Sequence, residues 1–205
     1  MSFEWSASHR YGLAPAPGGL GLVQDFLNTI RIQDYGSDLL ADTALAREWA
    51  ANAVRTWSAQ RGGDAQPPSL NDADLPKLRA LRDTIAKLVA GQPPDGRGIG
   101  SISASFALSD TGEVRLEPAG SGWRWLASTL WTEILLGQRA DTWRRIKQCH
   151  SHHCGSTFYD RSKNNSGVWH NVKTCGNAEN LRASRARRRE RQLAETTSTA
   201  ESSGG

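Results

Sequence analysis

"CHSHHCGSTFYDRSKNNSGVWHNVKTCGN", residues 149–177, holds all three cysteines of the 205-residue chain and four of its five histidines. Cys149 and Cys154 have four residues between them, His170 and Cys175 also have four, and fifteen separate the pairs. Two short ligand pairs are an economical way for one chain to supply the tetrahedral N and S donors of a structural Zn²⁺. The spacing predicts Cys149, Cys154, His170 and Cys175 as that set, with one ion per chain. His150, His152 and His153 lie inside the first loop and are expected to point outward. Four protein ligands leave no open coordination position, so the site is expected to be structural and the protein not an enzyme. The intervening "GSTFYDRSKNNSGVW" reads as a small hairpin around Phe158, Tyr159 and Trp169, with a turn at Lys163–Gly167. So small a module depends on its metal to fold.

The rest of the chain is an ordinary globular sequence. Apolar residues make up 38%, enough for a core, and an odd cysteine count argues against a disulfide framework. No apolar run approaches the roughly 18 residues of a membrane span, and the N-terminus lacks a signal-peptide pattern, so a cytoplasmic protein without a membrane partner is expected. Charge is unevenly divided. Residues 1–139 carry 13 Lys and Arg against 15 Asp and Glu, whereas residues 140–205 carry 12 against 6, which suits the C-terminal third to a polyanion.

Residues 1–19 read as an extended or loosely packed lead-in. "GLVQDFLNTI" then places Leu22, Val23, Phe26, Leu27 and Ile30 on one helical face. A second helix, capped by Asp42, carries Leu45, Trp49, Ala53 and Trp57 every four residues and ends at Gly62 and Gly63. A third starts near Asn71 or Asp74, Pro76 being acceptable only in the first turn and so favouring Asp74 as the cap, and runs through Leu78, Leu81, Ile85, Leu88 and Val89 to Gly91. In "SISASFALSDTGEVRLEP" the period falls to two, predicting a β-hairpin that turns at Asp110–Gly112. A fourth helix follows with Leu126, Leu130, Ile134 and Leu135, stopped by Gly137, and Asp141 then caps a short turn leading to Cys149. The tryptophans at 49, 57, 123, 125 and 131 are read as core. The expected fold is mainly α with one β-hairpin (α+β): a helical domain over 1–140, a treble-clef-like zinc finger with a basic helix over 141–195, and a disordered tail over 196–205.

Several of these residues together resemble a known family. A cysteine pair, the segment Phe158, Asp160, Ser162, a tryptophan followed by a ligand, and Cys175-Gly176-Asn177 leading into an arginine-rich helix are similar to the CGNR zinc finger of bacterial regulators. "QDFLNT", with Asp25, Phe26, Asn28 and Thr29, resembles the opening motif of the ABATE domain, which precedes that finger and is associated with stress-induced transcription regulation. The family commonly has cysteine where this chain has His170, and an arginine where it has Ala178. The resemblance therefore implies intact metal binding and one missing contact at the start of the basic helix.

That helix, "GNAENLRASRARRRERQLAE", consists of strong helix formers and is expected to end near residue 194. Arg182, Arg185 and Arg189 share a stripe flanked by Arg188, with Arg161, Lys173 and Asn177 in the same module. Guanidinium forks hold phosphates and read guanine edges. The expected function is a DNA-binding transcriptional regulator whose N-terminal domain senses a signal or forms a homodimer, with double-stranded DNA as partner. Two rivals remain: an adaptor that meets RNA polymerase or another regulator through the basic helix, and a thiol redox switch. Asp25 and Asn28 are weak ligand-binding candidates, because helix-embedded Asp and Asn more often bond the neighbouring backbone.

Overall fold

A computed structural model describes residues 4–32, 36–93 and 101–202. Its centre is α2 (Leu20–Leu27), a helix buried on every side. A helix surrounded by protein needs no polar face, and "LGLVQDFL" provides almost none. Around it pack α1 (Ser6–His9), α3 (Thr43–Gln60), α4 (Leu75–Val89) and α5 (Trp123–Arg139). Leu22, Phe26, Leu78, Leu81, Ile85, Leu126 and Leu130 form the middle of one continuous apolar cluster. Two glycines let α2 and α5 approach closely. A Cβ on Gly137 would lie 2.9 Å from the Leu20 side chain, and one on Gly19 would collide with the Glu133 carboxylate. That buried carboxylate accepts bonds from Trp57 Nε1 (2.8 Å) and Arg61 (2.6 Å).

The helix ends depend on local hydrogen bonds. Asp42 caps α3 through the Leu45 N–H (2.9 Å), as its position predicts. At α4 both candidate residues take part, Asp74 standing at the N-cap position without a side-chain cap bond to the helix. Asn71 and Asp74 form a reciprocal box around a 3₁₀ turn, and the Asp74 carboxylate also meets the N–H of Trp123 at the start of α5 (3.4 Å). Asp74 is thus bonded to the first turns of two helices rather than capping one. Gly137 does not stop α5, which continues to Arg139, because the glycine is there for packing rather than termination. Ile30 lies beyond α2 and is 40% exposed, since the helix ends at Leu27.

The lead-in is not loose. Trp5, Ala7, Leu13 and Ala16 are buried, the stretch being too short for periodicity to reveal it. The predicted hairpin forms as β1 (Ala104–Leu108) paired antiparallel with β2 (Val114–Pro118), Phe106 opposite Leu116. A second antiparallel pair, β3 (Ile146–Gln148) and β4 (Thr157–Tyr159), lies in the C-terminal region. The hairpin expected between the two ligand pairs is therefore displaced: its strands flank the Cys149–Cys154 knuckle instead, and residues 160–169 form a loop. The final helix α6 (Asn177–Ser202) extends past residue 194 into the stretch expected to be disordered. "AETTSTAESS" contains neither Gly nor Pro to end it.

Candidate metal centre

The centre is assembled from the knuckle and from the root of α6. The N–H of Cys149 donates to Ser156 O (2.8 Å), and that of Cys154 to Ser151 O (2.9 Å), closing the loop between the first two cysteines. Across from it, Asn171 accepts bonds from Lys173 and Thr174 N–H and starts a single π turn, Val172–Gly176, that carries Cys175. Gly176 is buried under Trp169, where a Cβ would meet the indole at 3.1 Å. A larger residue after Cys175 would lift this turn off the ring.

These two arms bring one ligand atom each from Cys149, Cys154, His170 and Cys175 to within 4.8 Å of one another. His170 Nδ1 is 3.2 Å from Cys154 Sγ and 3.6 Å from Cys175 Sγ. Donors around a tetrahedral zinc with Zn–S bonds near 2.3 Å lie about 3.8 Å apart, so the set fits a single ion. Proton affinities favour a dication as well. The hydrogen bond from Cys149 holds the Cys154 thiol well below its ordinary value, and the same bond pushes Cys149 up. Burial, followed by the nearby Cys154 charge, raises Cys175. One thiolate forms readily and resists a second, a repulsion that a divalent cation relieves. His150, His152 and His153 are exposed and do not join the cluster.

The loop after β4 is held by charge. Lys147 Nζ bonds Asp160 (2.8 Å) and the carbonyls of Asn165 (2.7 Å) and Gly167 (3.1 Å). Burial works against the Asp160 carboxylate, but Lys147 and the N–H groups of Ser162 and Gly167 outweigh it and hold its carboxyl far below the usual range. Glu179 ties α6 back to the knuckle by accepting from Ser151 Oγ (2.9 Å) and His152 N–H (3.1 Å).

The module leans on the N-terminal domain. Its small apolar cluster of Cys149 and Phe158 is completed by Leu13, with Tyr11 beside it. The Asn28 amide meets both backbone groups of Thr157: Nδ2 donates to its carbonyl (2.9 Å) and Oδ1 accepts from its N–H (2.9 Å). Asp25 accepts from Ser8 N–H (2.7 Å) and Trp49 Nε1 (2.9 Å), and burial raises its pKa above the ordinary value. Thr29 Oγ1 accepts from Arg82, which grips Asp38 with two bonds. The polar side chains of "QDFLNT" thus bond within the protein, the role for which sequence alone offered no partner.

The basic residues are distributed differently. Arg161 donates to Pro15 O (2.7 Å) and lies over the Tyr159 ring, facing the N-terminal segment. Lys173, Asn177, Arg182, Arg185, Arg188 and Arg189 are exposed. Arg182 pairs with Glu179 (2.8 Å), and among the described residues the other three arginines have no ion pair.

Residues 20–143 match the ABATE family, described as "Putative stress-induced transcription regulator", and residues 145–188 match the CGNR zinc finger. The chain belongs to the ABATE family, with a CGNR finger behind the domain, and is a regulatory zinc-binding protein. Neither family is one of enzymes. A search of the curated proteins finds no match. No helix among the described residues is long and apolar enough to cross a membrane.

Proposed function

We propose that this protein is a transcriptional regulator that binds double-stranded DNA through α6 and the zinc module, with the N-terminal domain receiving a signal or joining two copies. One observation carries the reading: from Leu181 to Gln192, α6 is exposed on all faces while presenting six arginines, and its root is fixed by a metal ligand. The Cys175 turn and Glu179 anchor its first turn. At 26 residues it extends roughly 39 Å, long enough to lie in or across a major groove. The contact set is Lys173, Asn177, Arg182, Arg185, Arg188 and Arg189, and Arg161 joins it only by leaving Pro15.

Replacing Arg185, Arg188 and Arg189 with Ala tests this. Duplex affinity is expected to fall, and the log–log salt slope to flatten by about 0.9 for each phosphate that is no longer neutralised. A parent protein with no salt-dependent duplex binding, or an unchanged slope accompanied by loss of a protein partner, would favour an adaptor.

A further inference from the structure

We propose that the apolar side of the β1–β2 hairpin is the surface through which two copies of this chain meet, each hairpin lying on the other across a two-fold axis. The proposal rests on the regulatory reading only in choosing, of the two roles given there to the N-terminal domain, the joining of two copies. Along the hairpin the side chains alternate. Ala104, Phe106 and Leu108 of β1 stand opposite Pro118, Leu116 and Val114 of β2, so all six share one side of the ribbon and none is charged. The other side carries Ser105, Arg115 and Glu117. Alternation of this kind marks a sheet with one face to be buried and one to be solvated. Yet the chain leaves the apolar side open: Phe106 is 78% exposed, Leu108 72% and Val114 67%.

The surface is preformed. Ser128 of α5 holds the open end of the hairpin, its hydroxyl donating to Ser103 O (2.7 Å) and accepting from Ala119 N–H (3.1 Å). The turn is closed by Ser109 N–H on Glu113 O (2.9 Å) and by Glu113 N–H on Ser109 Oγ (3.0 Å). Association therefore orders little new structure. Charge and area identify the occupant. A two-fold axis sets a patch against itself, so any net charge in it would meet its like; this patch has none, and Arg115 on the other side is paired with Glu113 (2.6 Å). Phe106, Leu108 and Val114, with the open parts of Leu116 and Pro118, offer roughly 500 Å² per copy, less than the ~800 Å² each partner gives a standard interface. An area of that size suits a reversible dimer in the micromolar range.

Sedimentation of the zinc-loaded full chain without DNA, from about 1 to 200 μM, is expected to show a monomer–dimer equilibrium. Phe106→Ser with Leu108→Ser should raise the dissociation constant about tenfold or more, with zinc content and helicity kept because both side chains are exposed. Val114→Lys, on the other strand, puts a charge where it meets its own copy and should act in the same direction. Leu135→Ser with Leu136→Ser removes an exposed apolar pair on α5 instead and should leave the equilibrium as in the parent. A parent chain that stays monomeric over the whole range would overturn the proposal, as would parent-like dimers of both hairpin variants or dissociation by the α5 variant. No duplex is present in these runs, so the interface and the DNA-binding reading fail separately. A monomeric parent that still binds duplex refutes only the interface, and a hairpin-dependent dimer without duplex affinity refutes only the reading.

Discussion

Leu22, Phe26, Leu78, Leu126 and Leu130 belong to a cluster that draws on five helices of the N-terminal domain and on Ile146 of β3, and that excludes water completely at its centre. The zinc module has Leu13, Cys149 and Phe158, and the first of these is supplied by the other region. The module makes up the deficit with directional interactions: four metal-ligating side chains, the Lys147–Asp160 pair, and the Glu179 tie. Apolar burial is additive and tolerant, so losing one side chain costs a few kcal/mol. Coordination and bridging hydrogen bonds are cooperative, and losing one member endangers the set.

The contrast is sharpest at the ligands. Cys154→Ser or Cys175→Ser is expected to abolish zinc binding and unfold the module while the N-terminal helices persist, as read by metal analysis and far-UV dichroism. Full zinc together with full helicity in both variants would break the comparison. Leu126→Ala should cost about 2–5 kcal/mol in denaturant unfolding yet leave zinc stoichiometry unchanged. A loss of metal in that variant would mean that the two regions do not differ in what holds them.

Asn28→Ala probes the junction. It leaves the buried N–H of Thr157 without a partner and its carbonyl with only the long bond from Gln24 Nε2 (3.4 Å), a cost of about 1–3 kcal/mol. The expected signature is a lower melting temperature for both regions, with zinc still bound; an effect confined to one region would show that the amide contributes nothing between them.

The smallest change with pH is expected at Asp160. Its folded pKa is depressed, so its contribution is fully present above the unfolded value near 3.9 and is lost only as pH falls below it. Between about pH 6 and 8 the melting penalty of Asp160→Asn should therefore stay constant. A penalty that shrinks across this window would show that the carboxylate is not held by Lys147 and the backbone as described.

Periodicity made the large elements legible: Trp49 and Trp57 on α3, Leu78 and Leu81 on α4, and the alternation through Phe106 and Val114 each reported a local repeat. Ligand spacing identified the metal donors because each pair is separated by only four residues. The pairing of β3 with β4 around the knuckle was hidden, since three-residue strands carry no measurable alternation. Gly137 misled for another reason: a helix stop and a close helix crossing require the same residue. The partner of Asn28 lies 129 residues away, and no local pattern in the sequence points to Thr157.

That bond has a consequence for how the chain can be divided. The two family matches meet near residue 144, and a cut there looks harmless in sequence. In the folded molecule, Asn28 stands beside β4 as one residue of a third strand would, offering an acceptor and a donor at the spacing of a peptide group. An N-terminal fragment would carry this amide to its surface with nothing to pair against, and Leu13 would emerge with it. Exchange of the finger for an unrelated one would meet the same difficulty unless the newcomer offered a strand in register. The inherited unit is thus longer than either match, and a fusion or truncation that respects it should keep residues 4–189 together.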